Sequence, residues 1–198
     1  MGFVDLNNSG GPGSSGYGPV PTPLYRYLDT NGDGTGINNA NGDYSGVGNS
    51  EIFYIQPAAG EIIRLERMIV LIEGRKNAFY TDSYGGIDTG LANGIEVRVQ
   101  SDSGTVTDLT AGIPIKTNGD WGGLCFDAEV YPSDNGNTET YLRVRWTFAR
   151  AGYPLRLNGA NNERLEIVLN DDFSGDSGGD PFIRKHYFHV QGYYEGTT

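Results

Sequence analysis

The chain has 198 residues, enough for one domain with a substantial core, and its 14 Lys and Arg against 25 Asp and Glu leave a formal charge of −11. Such a surplus repels nucleic-acid backbones and anionic lipid, which sets DNA-binding and membrane-surface functions aside. Thirty-one glycines, roughly twice the usual share, together with 13 tyrosines, describe strands joined by tight turns and predict an all-β fold.

In chain order, residues 1–22 are rich in Gly, Ser, Asn and Pro and hold little to bury, so they read as a flexible N-terminal arm, either without consequence or ordered against a neighbouring subunit. The start "MGFVDLNNSGG" lacks a basic segment followed by an apolar core, so a secretory leader is not expected. No apolar run approaches the roughly 20 residues that cross a bilayer, and the expected product is soluble and made in a cytoplasm. Residues 23–198 read as a single domain.

After a glycine-rich loop, "EIFYIQP" (Glu51–Pro57) reads as a short strand and "GEIIRLERMIVLIEG" (Gly60–Gly74) as a long one. Unbroken alternation would put Ile63, Leu65, Arg67, Ile69 and Leu71 on one face and Ile62, Arg64, Glu66, Met68, Val70 and Ile72 on the other. The segment is long enough for a helix, but bounding glycines and β-branched residues favour strand. "NGIEVRVQS", "TVTDLTAGIPIKT", "GLCFDAEVY" and "TYLRVRWTFAR" come next as strands, the last with Val144, Trp146 and Phe148 opposite Arg143, Arg145 and Thr147. "YPLRLNG", "ERLEIVLND" and "RKHYFHVQGYY" complete nine or ten strands, with Leu165, Ile167 and Leu169 set against Glu166 and Val168. No helix is expected and no repeat is present. The expected architecture is an antiparallel β-sandwich, specifically a jelly roll of eight main strands.

Several motifs invite chemistry. "GDSGG" around Ser177 surrounds the nucleophile of trypsin-like proteases, but there the histidine precedes the serine, and the only histidines, His186 and His189, come after it. Three apart on a strand, these histidines point to opposite faces and do not share a metal. The single cysteine, Cys125, in "LCFDAEV", reads as a small buried hydrophobe. No enzyme is expected. In "YLDTNGDGTGINNANGDYSG", Asp29, Asn31, Asp33 and Gly34 open a calcium loop, but the twelfth position is Ala40 where a bidentate acid is needed, and flanking helices are absent; Asp43 is the only late substitute. The stretch reads as a turn-rich loop without cofactor, with Ca²⁺ on Asp29, Asn31 and Asp33 as the weaker alternative. Finally, Tyr44, Tyr54, Tyr80, Tyr84, Trp121, Tyr131, Tyr141, Tyr153, Tyr187, Tyr193 and Tyr194 are numerous enough for a sugar-stacking platform or an interface, set against the ordinary presence of tyrosine in sheets.

The phrases "LYRYLDTNGDGTG", "EIFYIQPAAGEIIRLERMIV", "GIPIKTNGDW", "LRVRWTFARAG" and "NERLEIVLNDDFSG" together resemble a group of tailed-bacteriophage virion proteins common in marine phage genomes, over Leu24 to Tyr194. The resemblance implies a β-sandwich building block without catalytic residues, located on the capsid exterior. Its expected role is capsid decoration or cement, as a trimer on the major capsid protein, with neither nucleic acid nor membrane as partner. The alternative it leaves open is a tail- or fibre-associated adhesin that binds receptor carbohydrate.

Overall fold

The computed structural model describes residues 21–34, 50–74, 80–85, 87, 89–124, 127–132, 140–151, 154–171, 173 and 183–197. Among them, ten strands form two antiparallel sheets packed face to face, the expected all-β sandwich. The strands are β1 (Thr22–Tyr27), β2 (Glu51–Ile55), β3 (Glu61–Gly74), β4 (Ile95–Ser101) and β5 (Gly104–Asp108), then β6 (Asp127–Pro132), β7 (Thr140–Thr147), β8 (Leu155–Asn158), β9 (Arg164–Leu169) and β10 (Ile183–Thr197). One sheet runs β1-β10-β3-β7-β6, with β8 also paired to β3; the other runs β2-β9-β4-β5. Thr22, the last residue of the expected arm, opens β1.

Alternating apolar residues bring the inner faces together. Leu24, Phe188, Val190, Val70, Ile72 and Val144 from the first sheet are buried against Phe53, Ile55, Val97, Leu165 and Ile167 from the second. Phe53 and Phe188 meet across the interface with ring centroids 5.7 Å apart. Val144 and Trp146 face the core as expected. One end of the sandwich is stitched by the backbone. Leu28 N donates to Phe188 O (2.9 Å), while Asp29 and Tyr54 exchange bonds of 3.2 and 2.9 Å, so adjacent residues grip opposite sheets.

Three expectations are corrected. First, β3 does not keep one alternation. Leu65 pairs with Gly192 and Arg67 with Gln191, which leaves Glu66 as an extra, exposed residue. The bulge reverses the facing of the residues beyond it. Ile63 and Leu65 face the core before it, Met68, Val70 and Ile72 after it, and Ile69 and Leu71 turn to the outer face.

Second, a helix is present. Asn118–Leu124 forms α1, overlapping the stretch expected as strand from Gly123. Its glycines are poor helix formers, but a reciprocal cap offsets them: Thr117 Oγ1 accepts from Asp120 N (3.2 Å), and Asp120 Oδ2 accepts from Thr117 N (2.8 Å). Trp121, fully buried, anchors the turn in the core.

Third, "TVTDLTAGIPIKT" stops being strand at Asp108, whose carboxylate accepts from Thr110 N (2.9 Å) and Gly112 N (2.7 Å) and curls the chain through Ala111 and Gly112 at φ 54° and 76°. Glu166 of β9 keeps its expected place on the face opposite Leu165, Ile167 and Leu169. It is 1 % exposed, held between Arg98 Nε (2.9 Å) and Arg164 Nε (2.5 Å) on the outer face of the smaller sheet.

Candidate functional site

The calcium-like stretch is the first site to place. Asp29 is 5 % exposed, and its Oδ1 accepts from the backbone N–H groups of Asn31 (3.1 Å) and Gly32 (2.5 Å). This is an Asx turn, in which the carboxylate satisfies its own loop. Asn31 and Asp33 lie on the exposed side of that turn, and Gly32 adopts φ 77° with the Tyr54 ring where a Cβ would stand. Among the described residues, no three His, Cys, Asp or Glu side chains gather to hold a metal ion. Ala40, Asp43, Cys125 and Ser177 lie outside the described residues.

The two histidines take opposite faces, as the strand reading expects. His186 is fully buried in the core, stacked near Phe188 and Tyr84, with Nε2 2.9 Å from the Tyr84 hydroxyl. Burial holds its pKa down to about 3. His189 points outward, into a cleft.

That cleft is the candidate site. It lies on the outer face of the larger sheet, encloses about 510 Å³, and is lined by Tyr25 and Tyr27 from β1, Tyr187 and His189 from β10, Ile69, Leu71 and Glu73 from β3, and Tyr141 from β7. Strand register builds it row by row. Tyr27, His189 and Ile69 stand opposite one another, Tyr187 stands opposite Leu71, and Glu73 opposite Tyr141. Ile69 and Leu71 form an apolar floor because the bulge at Glu66 turns them outward. Tyr25, 60 % exposed, packs onto His189 with ring centroids 3.5 Å apart, and Tyr27 meets the same imidazole edge-on at 5.0 Å.

His189 is only 6 % exposed, and its Nε2 is buried without a hydrogen-bond partner among the described residues. Burial pushes its pKa down to about 4, so the ring is neutral near pH 7. Glu73 is 8 % exposed at the cleft wall. The arrangement combines aromatic faces, an apolar floor and a few inward polar groups, which suits non-covalent recognition of a small ligand.

Of the tyrosines singled out from sequence, Tyr141 and Tyr187 line this cleft. Tyr84 and Trp121 are core, Tyr54 lies beside the Asp29 turn, and Tyr80 is exposed elsewhere. Tyr44 and Tyr153 lie outside the described residues, as does the side chain of Tyr131. Tyr25 and Tyr27, both cleft walls, were not singled out, although "LYRYL" alternates them against the buried Leu24 and Leu28. Compared with known proteins, the chain matches no family model, no curated protein and no solved structure.

Proposed function

We propose that this chain is a non-enzymatic structural protein of a tailed-phage virion, a capsid decoration protein that binds the assembled head from outside as a homotrimer. The observation that carries the reading is the strand order. The first strand pairs with the last, the second with the last but one, β3 lies beside β10 and β4 beside β9. This nested order supports the jelly-roll reading, an architecture of viral capsid and lectin domains. Architecture alone names no function, and the phage phrases supply the rest. Described parts of those phrases fall on β1 and the Asp29 turn, on β2 and β3, on α1, and on β7 and β9.

Mechanistically, a protein that binds only the assembled shell stabilises it by mass action, and a stable contact buries an area of about 1,200–2,000 Å². The formal charge of −11 keeps the free protein soluble and away from packaged DNA. The test is to mix purified protein with empty expanded capsids of the phage that encodes it and measure co-sedimentation and capsid melting. Saturable binding with a raised capsid melting temperature is expected. Absence of binding at every concentration defeats the head assignment, and virion imaging that places the protein on the tail selects the adhesin alternative.

A further inference from the structure

We propose that the tyrosine cleft on the outer face of the larger sheet is a saccharide site, taking an uncharged pyranose ring against Tyr25 and Tyr187 with a hydroxyl paired to His189 Nε2. The inference rests on the cleft and not on where the protein sits in the particle.

Three observations select this ligand class. The volume, about 510 Å³, lies within the range of small-ligand sites. Tyrosine rings offer flat faces of negative quadrupole, against which the C–H face of a sugar packs well. The buried Nε2 of His189 lacks a partner among the described residues, and a buried polar atom left so favours any ligand that pairs with it. Glu73, the only charged side chain among the described lining residues, is engaged in an interaction of its own.

Competing ligands meet these conditions less well. A hydrocarbon chain fits the floor but leaves Nε2 unsatisfied. A nucleotide or other polyanion finds no Lys or Arg among the described lining residues and meets a protein of charge −11. A proline-rich peptide offers mainly carbonyl acceptors, which serve only the tautomer of His189 that carries its proton on Nε2. A sugar hydroxyl both donates and accepts, so it serves either neutral tautomer of His189. Arg143 and Arg145 stand beside Leu71 and Ile69 in the register, but neither lines the cleft and both are engaged in interactions of their own.

The experiment titrates the full chain with methyl glycosides of glucose, galactose, mannose and N-acetylglucosamine, and with oligosaccharides of each, read by saturation-transfer NMR and tyrosine fluorescence. Glucuronate, galacturonate and a peptide of residues 1–20 serve as comparisons. At least one neutral glycoside is expected to bind, and more tightly than the uronates. Tyr25→Ala, at an exposed position whose folding is verified by melting, is expected to weaken binding by up to about tenfold, the value of one aromatic contact. His189→Gln is expected to retain more affinity than His189→Leu, because only the amide restores the hydrogen bond. Binding of none of the neutral sugars, binding insensitive to Tyr25→Ala, or binding of the peptide or the uronates alone overturns the proposal. Capsid binding is measured separately, so a failed sugar titration leaves the head assignment standing and a failed capsid assay leaves the cleft.

Discussion

His186 Nε2 lies 2.9 Å from the Tyr84 hydroxyl, with both side chains fully out of solvent and the imidazole held neutral by its burial. The consequence is a stability that depends on pH. The folded pKa, about 3, lies below the unfolded value of 6.5, so the unfolded chain binds the proton more readily. The contribution is complete above about pH 6.5 and is lost as pH falls toward the folded value, at about 1.4 kcal/mol per pH unit. His189, held down to about 4, acts in the same direction. The melting temperature is therefore expected to fall between about pH 6.5 and 4.5, above the main carboxylate range. His186→Gln, which keeps a polar partner for Tyr84 but does not titrate, is expected to flatten that fall. An unchanged slope in the variant would show that His186 does not cause it.

A second expectation concerns the turn before β4. Asp171, buried, accepts from Ala92 N (2.8 Å), Asn93 N (3.0 Å) and Gly94 N, so one carboxylate ties the end of β9 to the start of β4. Bonds from backbone N–H to a charged acceptor are worth about 1.5–3 kcal/mol each, with strong overlap when they share it. Asp171→Ala is expected to cost about 2–4 kcal/mol in a denaturant titration. A change under about 0.5 kcal/mol, the range of ordinary surface substitutions, would remove Asp171 from this role.

Gly192 of β10 and Gly60, in the turn before β3, supply a third test, because they fail alanine for different reasons. Gly192 sits at the bulge opposite Leu65, where an added Cβ would stand 1.8 Å from Arg64 O. Gly60 has room for a Cβ but adopts φ 86°. Gly60→Ala is expected to cost about 1 kcal/mol of backbone strain, whereas Gly192→Ala must displace the central strands and is expected to cost about 3 kcal/mol or more. Equal melting temperatures for the two variants would contradict the packing at the bulge.

The Asp29 turn supplies a fourth. Its carboxylate is satisfied by Asn31 N and Gly32 N, so melting is expected to be the same in millimolar calcium and in chelator. Asp29→Ala is nevertheless expected to cost about 1–3 kcal/mol, because the buried Gly32 N–H and the half-buried Asn31 N–H lose their acceptor. A calcium-dependent rise in melting temperature that vanishes in Asp29→Ala would restore the metal reading.

Much of the fold was legible in the sequence. The alternation of Val144 and Trp146 with Arg143 and Arg145, and the opposed faces of His186 and His189, stem from the two-residue repeat of a strand and reappear in the structure. The cleft was only half legible. Tyr141 and Tyr187 stood out by residue type, but Ile69 and Leu71 were assigned to the face of Ile63 and Leu65, because a single extra residue at Glu66 leaves no mark in the pattern of apolar positions. α1 was missed for a related reason: its stability comes from the Thr117–Asp120 cap and the burial of Trp121, not from the propensity of its residues.

The sequence by itself determined whatever depends on near neighbours: strand propensity, the side each alternating residue takes within an unbroken run, the turns made by Asp-Gly and Asn-Gly, and the charge that repels polyanions. Tertiary structure decided the rest. Whether the Asp29 carboxylate caps its own loop depends on Tyr54 closing over Gly32, which comes from another sheet. Whether tyrosines from β1, β7 and β10 share one cleft depends on the order β1-β10-β3-β7 and on the bulge that fixes its register. Pairing between residues far apart in the chain is set by the summed packing of both sheets, and no local segment contains that sum.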